Sequence, residues 1–477
     1  MSSPNGSGSA ESVGDLAIVL HSHMPYVEGF GTYPFGEEWL FEAFTRSHLP
    51  VLEAAEHLTM SVTPVLADQL EADGIRERML AFTGLHRVEA AARDAAESET
   101  ELSRAAEGQL KLYAGAVERL EAMEGKPLGA FQRAHAEGRI ELIGSAATHA
   151  VLPKLATIAG RRLQVDAGLR SHVRRFGVPE GFWLPECAYA PGLGSSLAER
   201  GIEYTCLDQT VHETGTAALV PIRLPGGPVG FTIDWPTVQL VWSDQGYPSD
   251  PAYLEYHRLS PNGIRLWSVG GRPYDAEVAA RQAVDHAAVF LAAVRDRLER
   301  HRAERARPGL CVFAIDTELL GAWWAEGPTW LREVLRAARG ERIRLLTLTE
   351  ALHDHPGEER PAREASWGEG KTLETWDSPA VADLAWGARR LELRLLRELR
   401  ARRLEPAAAQ RAARELLAVQ SSDWAFMDHR AQAGDYPFDR AVDHAEAMLE
   451  AIESDQAPEP RMRNLAPDLS LAPLLEP

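Results

Sequence analysis

The chain has 477 residues and a formal net charge of −20, from 50 Lys and Arg against 70 Asp and Glu. It is 45% hydrophobic and 25% charged, the balance of a soluble globular protein with room for one large domain and an appendage, or for two to three domains. The acidic excess argues against nucleic acid and membrane as partners, and three scattered cysteines (Cys187, Cys206, Cys311) form no disulfide framework and no CxxC pair, which points to a reducing cytoplasm.

Residues 1–13 lack the basic and apolar segments of a secretory signal and read as a disordered Ser/Gly tail. No apolar run reaches the length of a membrane span. Seven short apolar runs then follow: LAIVL (16–20), LTMSVTPVL (58–66), RIELIG (139–144), GFWL (181–184), EYTCL (203–207), LCVFAI (310–315) and IRLLTL (343–348). They lack polar alternation, as strands covered on both faces do. Helical patterns at 99–123 and 158–176 lie between them. This alternation predicts an α/β fold, a TIM-like barrel one strand short spanning 14–352, with a doubly wound open sheet as the alternative. Residues 226–274, rich in Trp, Tyr, Gly and Pro, break the alternation and read as a lid or binding insertion. A polar linker is expected at 353–378, a helical C-terminal domain at 379–455 and an extended Pro-rich tail at 456–477. No internal repeat is evident.

Polar groups gather where the strand runs end: His21, His23, Thr148, His149, Glu186, Asp208, Asp316 and Glu318. In a closed barrel those ends meet at one mouth, where chemistry is done. Two facing carboxyls suit cleavage of a glycosidic bond, one as proton donor and one as nucleophile or base. Glu186 in GFWLPE and Asp316 in LCVFAID are the candidates. The plain alternative for each is a helix cap or an Arg partner. Tryptophans flank both acids: Trp183 beside Glu186, Trp323 and Trp324 after Asp316. Aromatic faces stack on sugar rings, and a Trp that excludes water raises a carboxyl pKa. Packing in the core is the other reading of these residues. His21 and His23, with His149, could bind zinc or donate hydrogen bonds to sugar hydroxyls; Pro25 stands where a zinc HxHxD pattern wants Asp.

Together the strings HSHMPYV, GTYPFGEEWLFEA, GRIELIGSAATHAVLPKL, GFWLPECAYAPGL, FAIDTELLGAWWAEGP and LLAVQSSDWAFM resemble glycoside hydrolase family 57, of the α-1,4-glucan branching type, over nearly the whole chain. The resemblance implies an incomplete (β/α)7 barrel with a helical C-terminal domain. It implies Glu186 as nucleophile and Asp316 as general acid/base, in preference to Glu318. It implies His21, His23, His149, Trp183, Tyr247, Trp267, Trp323, Trp324, Asp423 and Trp424 as substrate contacts, with Tyr247 at the tip of a lid. The expected substrate is an α-1,4-glucan such as amylose or glycogen, without metal or organic cofactor, acted on by a monomer or small homo-oligomer. Two departures stand out. Ala322 replaces the His of the GHWW string, and the stretch after Tyr247 is shorter than in many relatives. The alternatives are an α-glucan hydrolase, a 4-α-glucanotransferase, a weakly active glycan-binding paralogue and a zinc-dependent carbohydrate hydrolase or deacetylase.

Overall fold

The computed structural model describes residues 12–454 and 464–476. Its strands are β1 (Gly14–Ser22), β2 (Leu58–Val62), β3 (Ile140–Ser145), β4 (Gly181–Trp183), β5 (Tyr204–Leu207), β6 (Ile222–Arg223), β7 (Val229–Thr232), β8 (Leu310–Asp316), β9 (Ile343–Leu345) and β10 (Glu358–Glu359). A parallel run β8-β1-β2-β3-β4-β5-β7 curls into a barrel. The turn after β7 returns to β8 through a single hydrogen bond, Asp234 N to Val312 O at 2.8 Å. The ring therefore has seven strands and one weak seam. Every residue of β1 is buried, which explains its unbroken apolar run: the barrel interior covers one face and the helices the other.

The sixth ring strand, β7, lies inside the segment expected to be an irregular insertion. Its VGFT string is four residues long and carries Gly230, where a side chain would overlap Leu207 of β5. A strand that short, with a glycine in it, has no pattern to read. Conversely, IRLLTL supplies only the three-residue β9, which pairs with Gly14–Leu16 at the bottom of β1 before the chain enters the helix Leu348–Asp354.

The remaining expectations divide in the same way. Ser12 and Val13 are tied to the Arg342 carbonyl; the rest of the expected 1–13 tail lies outside the described residues. The 353–378 segment is no free linker. It forms β10, pairs Ala365 with Tyr189, and buries Ser366 and Trp376. Four helices follow: Ala382–Arg400, Pro406–Val419, Ser422–His429 and Tyr436–Ser454. The tail from 464 is not extended. Leu465, Leu469 and Leu474 are buried in one cluster with Leu163 and Ala167 of the helix Ile158–Phe176, and Ala472–Leu475 is helical. Its spaced leucines drive this burial despite the prolines around them. Among the described residues, no helix is long and apolar enough to cross a membrane.

Candidate active site

β4 and β8 lie three strands apart one way round the ring and four the other, so their C-terminal ends face each other across the mouth. β4 delivers Glu186. Pro185 ends the strand, and Glu186 adopts φ 58° and ψ 21°, with Cys187 at φ 48°. Such left-handed geometry is sparse for residues with a side chain, and three backbone bonds hold it. Cys187 N donates to Leu184 O at 2.8 Å, Ala188 N to Pro185 O at 3.0 Å, and Trp367 N to Glu186 O at 2.7 Å. The last of these comes from the segment expected to be a linker.

β8 delivers Asp316 as its final residue, registered against His21 of β1. The turn beyond it is clamped: Ser47 Oγ donates to Thr317 O at 2.7 Å, and the Ser22 and Thr317 hydroxyls meet at 2.8 Å. Glu318 is engaged, accepting from His48 Nε2 at 2.6 Å and His23 N at 3.1 Å. It holds the histidine loop through these bonds.

Beside Glu186 stands a wall of stacked rings. Trp183 lies 4.7 Å from His21, His21 lies 4.8 Å from His149, and His149 lies 4.1 Å from His23, centroid to centroid. The hydrogen bonds of this wall fix its tautomers. Ser422 Oγ lies 2.8 Å from Glu186 Oε1 and 2.9 Å from His149 Nδ1. An ionised carboxylate only accepts, so Ser422 donates to Glu186 and receives the His149 Nδ1 proton. His149 Nε2 then accepts, and it lies 2.9 Å from His21 Nε2, which must donate. His21 Nδ1 in turn accepts from Ser61 Oγ at 2.6 Å. The chain Ser61–His21–His149–Ser422–Glu186 thus has one direction and ends on the carboxylate. It requires both histidines to be neutral. Burial, with the charge on His23, holds His21 well below the usual histidine range, and burial with His23 and His21 does the same for His149.

His23 is the charged member. Burial opposes its protonation, but the charges of Asp423, Glu318 and Glu186 prevail and raise its pKa. Its Nε2 donates to Asp423 Oδ1 at 2.9 Å, and its Nδ1 lies 3.0 Å from Thr63 Oγ1. The histidine nitrogens are therefore engaged with one another, with hydroxyls and with Asp423. Among the described residues, no group of three or more His, Cys, Asp or Glu is placed to hold a metal ion.

Both carboxyls are shifted upward, unequally. Burial pushes Glu186 up to about 7, with the Ser422 hydrogen bond and the His23 charge pulling back and Asp423 adding to the rise. Burial pushes Asp316 up to about 8, aided by the charges of Glu318 and Glu186 and opposed by His23. The Ser422 hydrogen bond favours the ionised form of Glu186, and the neighbouring carboxylate charges favour the protonated form of Asp316.

The structure thus brings together Glu186, Asp316, His21, His23, His149, Trp183 and Asp423. The other expected contacts sit elsewhere. Trp424 is a fully buried packing residue; its Nε1 donates to Ala418 O at 2.7 Å, and its ring faces Arg440. Trp324 is packed between Tyr253 and Trp330. Trp267 lies under the Arg258 guanidinium. Trp323 is 51% exposed. Tyr247 is not a lid tip: its ring is buried and stacks on His286 at 4.3 Å, because a short turn bonded to Leu240 folds it inward. Sequence reasoning missed Ser422, Ser61, Thr63 and Trp367. Only Ser422 carried a signal, being the neighbour of Asp423 in SSDW.

A closed parallel barrel with two unequal carboxyls opposed across a ring-walled mouth defines a class of site, one equipped for acid and nucleophile chemistry on acetal bonds. The chain belongs to glycosyl hydrolase family 57, whose model matches residues 17–362; the model described as 1,4-alpha-glucan branching enzyme, C-terminal, matches residues 387–467. It is 30% identical over 490 residues to the 1,4-alpha-glucan branching enzyme TK1436 of Thermococcus kodakarensis, covering 91% of this chain and 72% of that protein. Its fold is similar to the crystal structure of a GH57-type branching enzyme from Pyrococcus horikoshii, with TM-score 0.91, 29% identity and 97% of each chain covered. The alpha-amylase AmyC from Thermotoga maritima shares the fold, with TM-score 0.82, 24% identity, and 97% of this chain and 99% of that one covered.

Proposed function

We propose that this chain is an α-1,4-glucan branching enzyme working by double displacement through Glu186 and Asp316. A Glu186 oxygen attacks the anomeric carbon of an α-1,4 bond. The Asp316 proton passes to the departing O4, and a glycosyl ester forms on Glu186. Asp316, now a carboxylate, takes the proton of a sugar 6-hydroxyl, whose oxygen attacks the anomeric carbon and frees Glu186. Two inversions leave the configuration retained and convert an α-1,4 into an α-1,6 linkage.

The observation that carries this reading is the unequal pair across the mouth. Glu186 is seated by Ser422 at 2.8 Å, which favours its ionised form, while burial with the charges of Glu318 and Glu186 favours the protonated form of Asp316. Transfer to a 6-hydroxyl, in preference to water, is supported by the branching relatives and by the C-terminal match. The three buried free cysteines fit a cytoplasmic location, where a glycogen-type polymer would be the product.

Amylose incubated with the purified protein tests the proposal. The expected product yields short linear chains when trimmed by a debranching enzyme. A chain-length profile unchanged by debranching would sink the proposal.

A further inference from the structure

The segment from Tyr253 to Tyr274 is read so far only as a shortened lid region, yet it is tied to the Asp316 loop by a three-layer stack. Trp323 and Tyr256 lie face to face, 4.5 Å between centroids and 16° between planes. The Arg265 guanidinium covers the other face of Tyr256 at 4.1 Å, donates through Nε to Tyr256 O at 3.0 Å, and reaches Ala322 O through Nη1 at 3.4 Å. The Trp323 backbone is held as well, its main-chain N–H donating to Glu318 O at 3.3 Å. Gly321, at φ 106°, packs against Arg46 O with no space for a side chain. The loop cannot shift outward without breaking these contacts.

Every other large ring on this loop is buried, and Trp324 beside it is 1% exposed. Trp323 alone remains 51% exposed, stacked on Tyr256. It sits seven residues beyond Asp316, at the end of the same clamped turn. A glucan presents its C–H faces to such a surface and leaves its hydroxyls for the mouth.

We infer that Trp323 is the platform for the acceptor glucan, the chain whose 6-hydroxyl replaces water in the second displacement, and that Tyr256 and Arg265 are positioning residues that hold the indole at its angle. This rests on the branching reading above and names the partner of its second step. The proposal places Trp323 outside the cleavage step. Its loss therefore leaves Glu186 and Asp316 able to open the donor bond, with water as the remaining acceptor.

The test uses the full chain on amylose, with branches counted after debranching and hydrolysis counted as new reducing ends. For Trp323→Ala, branch formation falls about tenfold, the scale of one lost aromatic contact, while reducing-end release holds or rises. Trp323→Tyr restores most branching. Tyr256→Ala lowers branching less, and raises the KM for added acceptor maltooligosaccharide more than it lowers kcat. Equal losses of branching and hydrolysis in Trp323→Ala, or no change in either, overturn the platform while leaving the branching reading intact. A wild-type chain that makes no branches overturns that reading, and the platform with it.

Discussion

The two sides of the barrel mouth are built differently. Glu186 is met by a neutral, directional relay through His149 and Ser422, whereas buried Asp316 faces the negative charges of Glu318 and Glu186 itself. A nucleophile needs a defined direction and an ionised state, and a hydrogen bond into the carboxylate supplies both. An acid needs its proton kept in place, and like charge in a buried site does that. In the wall of rings beside them, His21 and His149 stay neutral and His23 carries the charge.

The largest effects follow from removing either carboxyl. Glu186→Gln and Asp316→Asn are each expected to lower kcat by roughly three or more orders of magnitude. Only Glu186→Gln should abolish a trapped glycosyl ester in mass spectra of the denatured protein. Near-normal turnover in either variant would break the comparison at its root.

Ser422→Ala comes next. It removes the hydrogen bond that lowers the Glu186 pKa. The expected loss is about tenfold to a hundredfold in kcat/KM, the scale of one charge-assisted bond of ~1.5–3 kcal/mol. The pH profile is the sharper readout. For the wild type, activity requires Glu186 ionised and Asp316 protonated. The kcat/KM profile should therefore rise through about 7 and fall through about 8, with a narrow maximum between. Without Ser422 the Glu186 pKa moves up, so the acidic limb shifts to higher pH while the basic limb stays. An acidic limb that does not move would show that the relay does not act on Glu186.

The smallest effect concerns Tyr247. Its hydroxyl is buried with no hydrogen-bond partner among the described residues, and its ring stacks on His286. Tyr247→Phe should be neutral or slightly stabilising in a thermal melt, and should leave the ratio of transfer to hydrolysis unchanged. Tyr247→Ala removes the stacked ring and should destabilise by about 3 kcal/mol. A large change in the product ratio with Phe would return the hydroxyl to the cleft.

Much of this was legible in the sequence because burial on both faces leaves long apolar runs. β1 and β8 announce themselves that way, and their C-terminal ends bring His21 and Asp316 to the mouth. β7 does not, being four residues with a glycine where a side chain cannot fit. The carboxyls were legible as strand-end acids, and the family strings separated Asp316 from Glu318. The aromatic contacts were the least legible. A tryptophan beside an acid can as well be core, and Trp183, Trp324 and Trp424 are buried packing. Ser422 carried only its place in SSDW as a signal; its meaning lies in a contact with Glu186, 236 residues away in the chain.

The backbone bond from Trp367 to Glu186, with the Ser422 hydroxyl, has a consequence for how the protein comes into being. During synthesis the strand bearing Glu186 and even Asp316 emerge well before residues 367 and 422. Until those later segments dock, the Glu186 turn lacks the amide that restrains its left-handed backbone and the hydroxyl that orients its oxygen. The nascent barrel is thus a shaped but unarmed vessel, and the power to cut a polymer arrives only when the later-made segments dock on it.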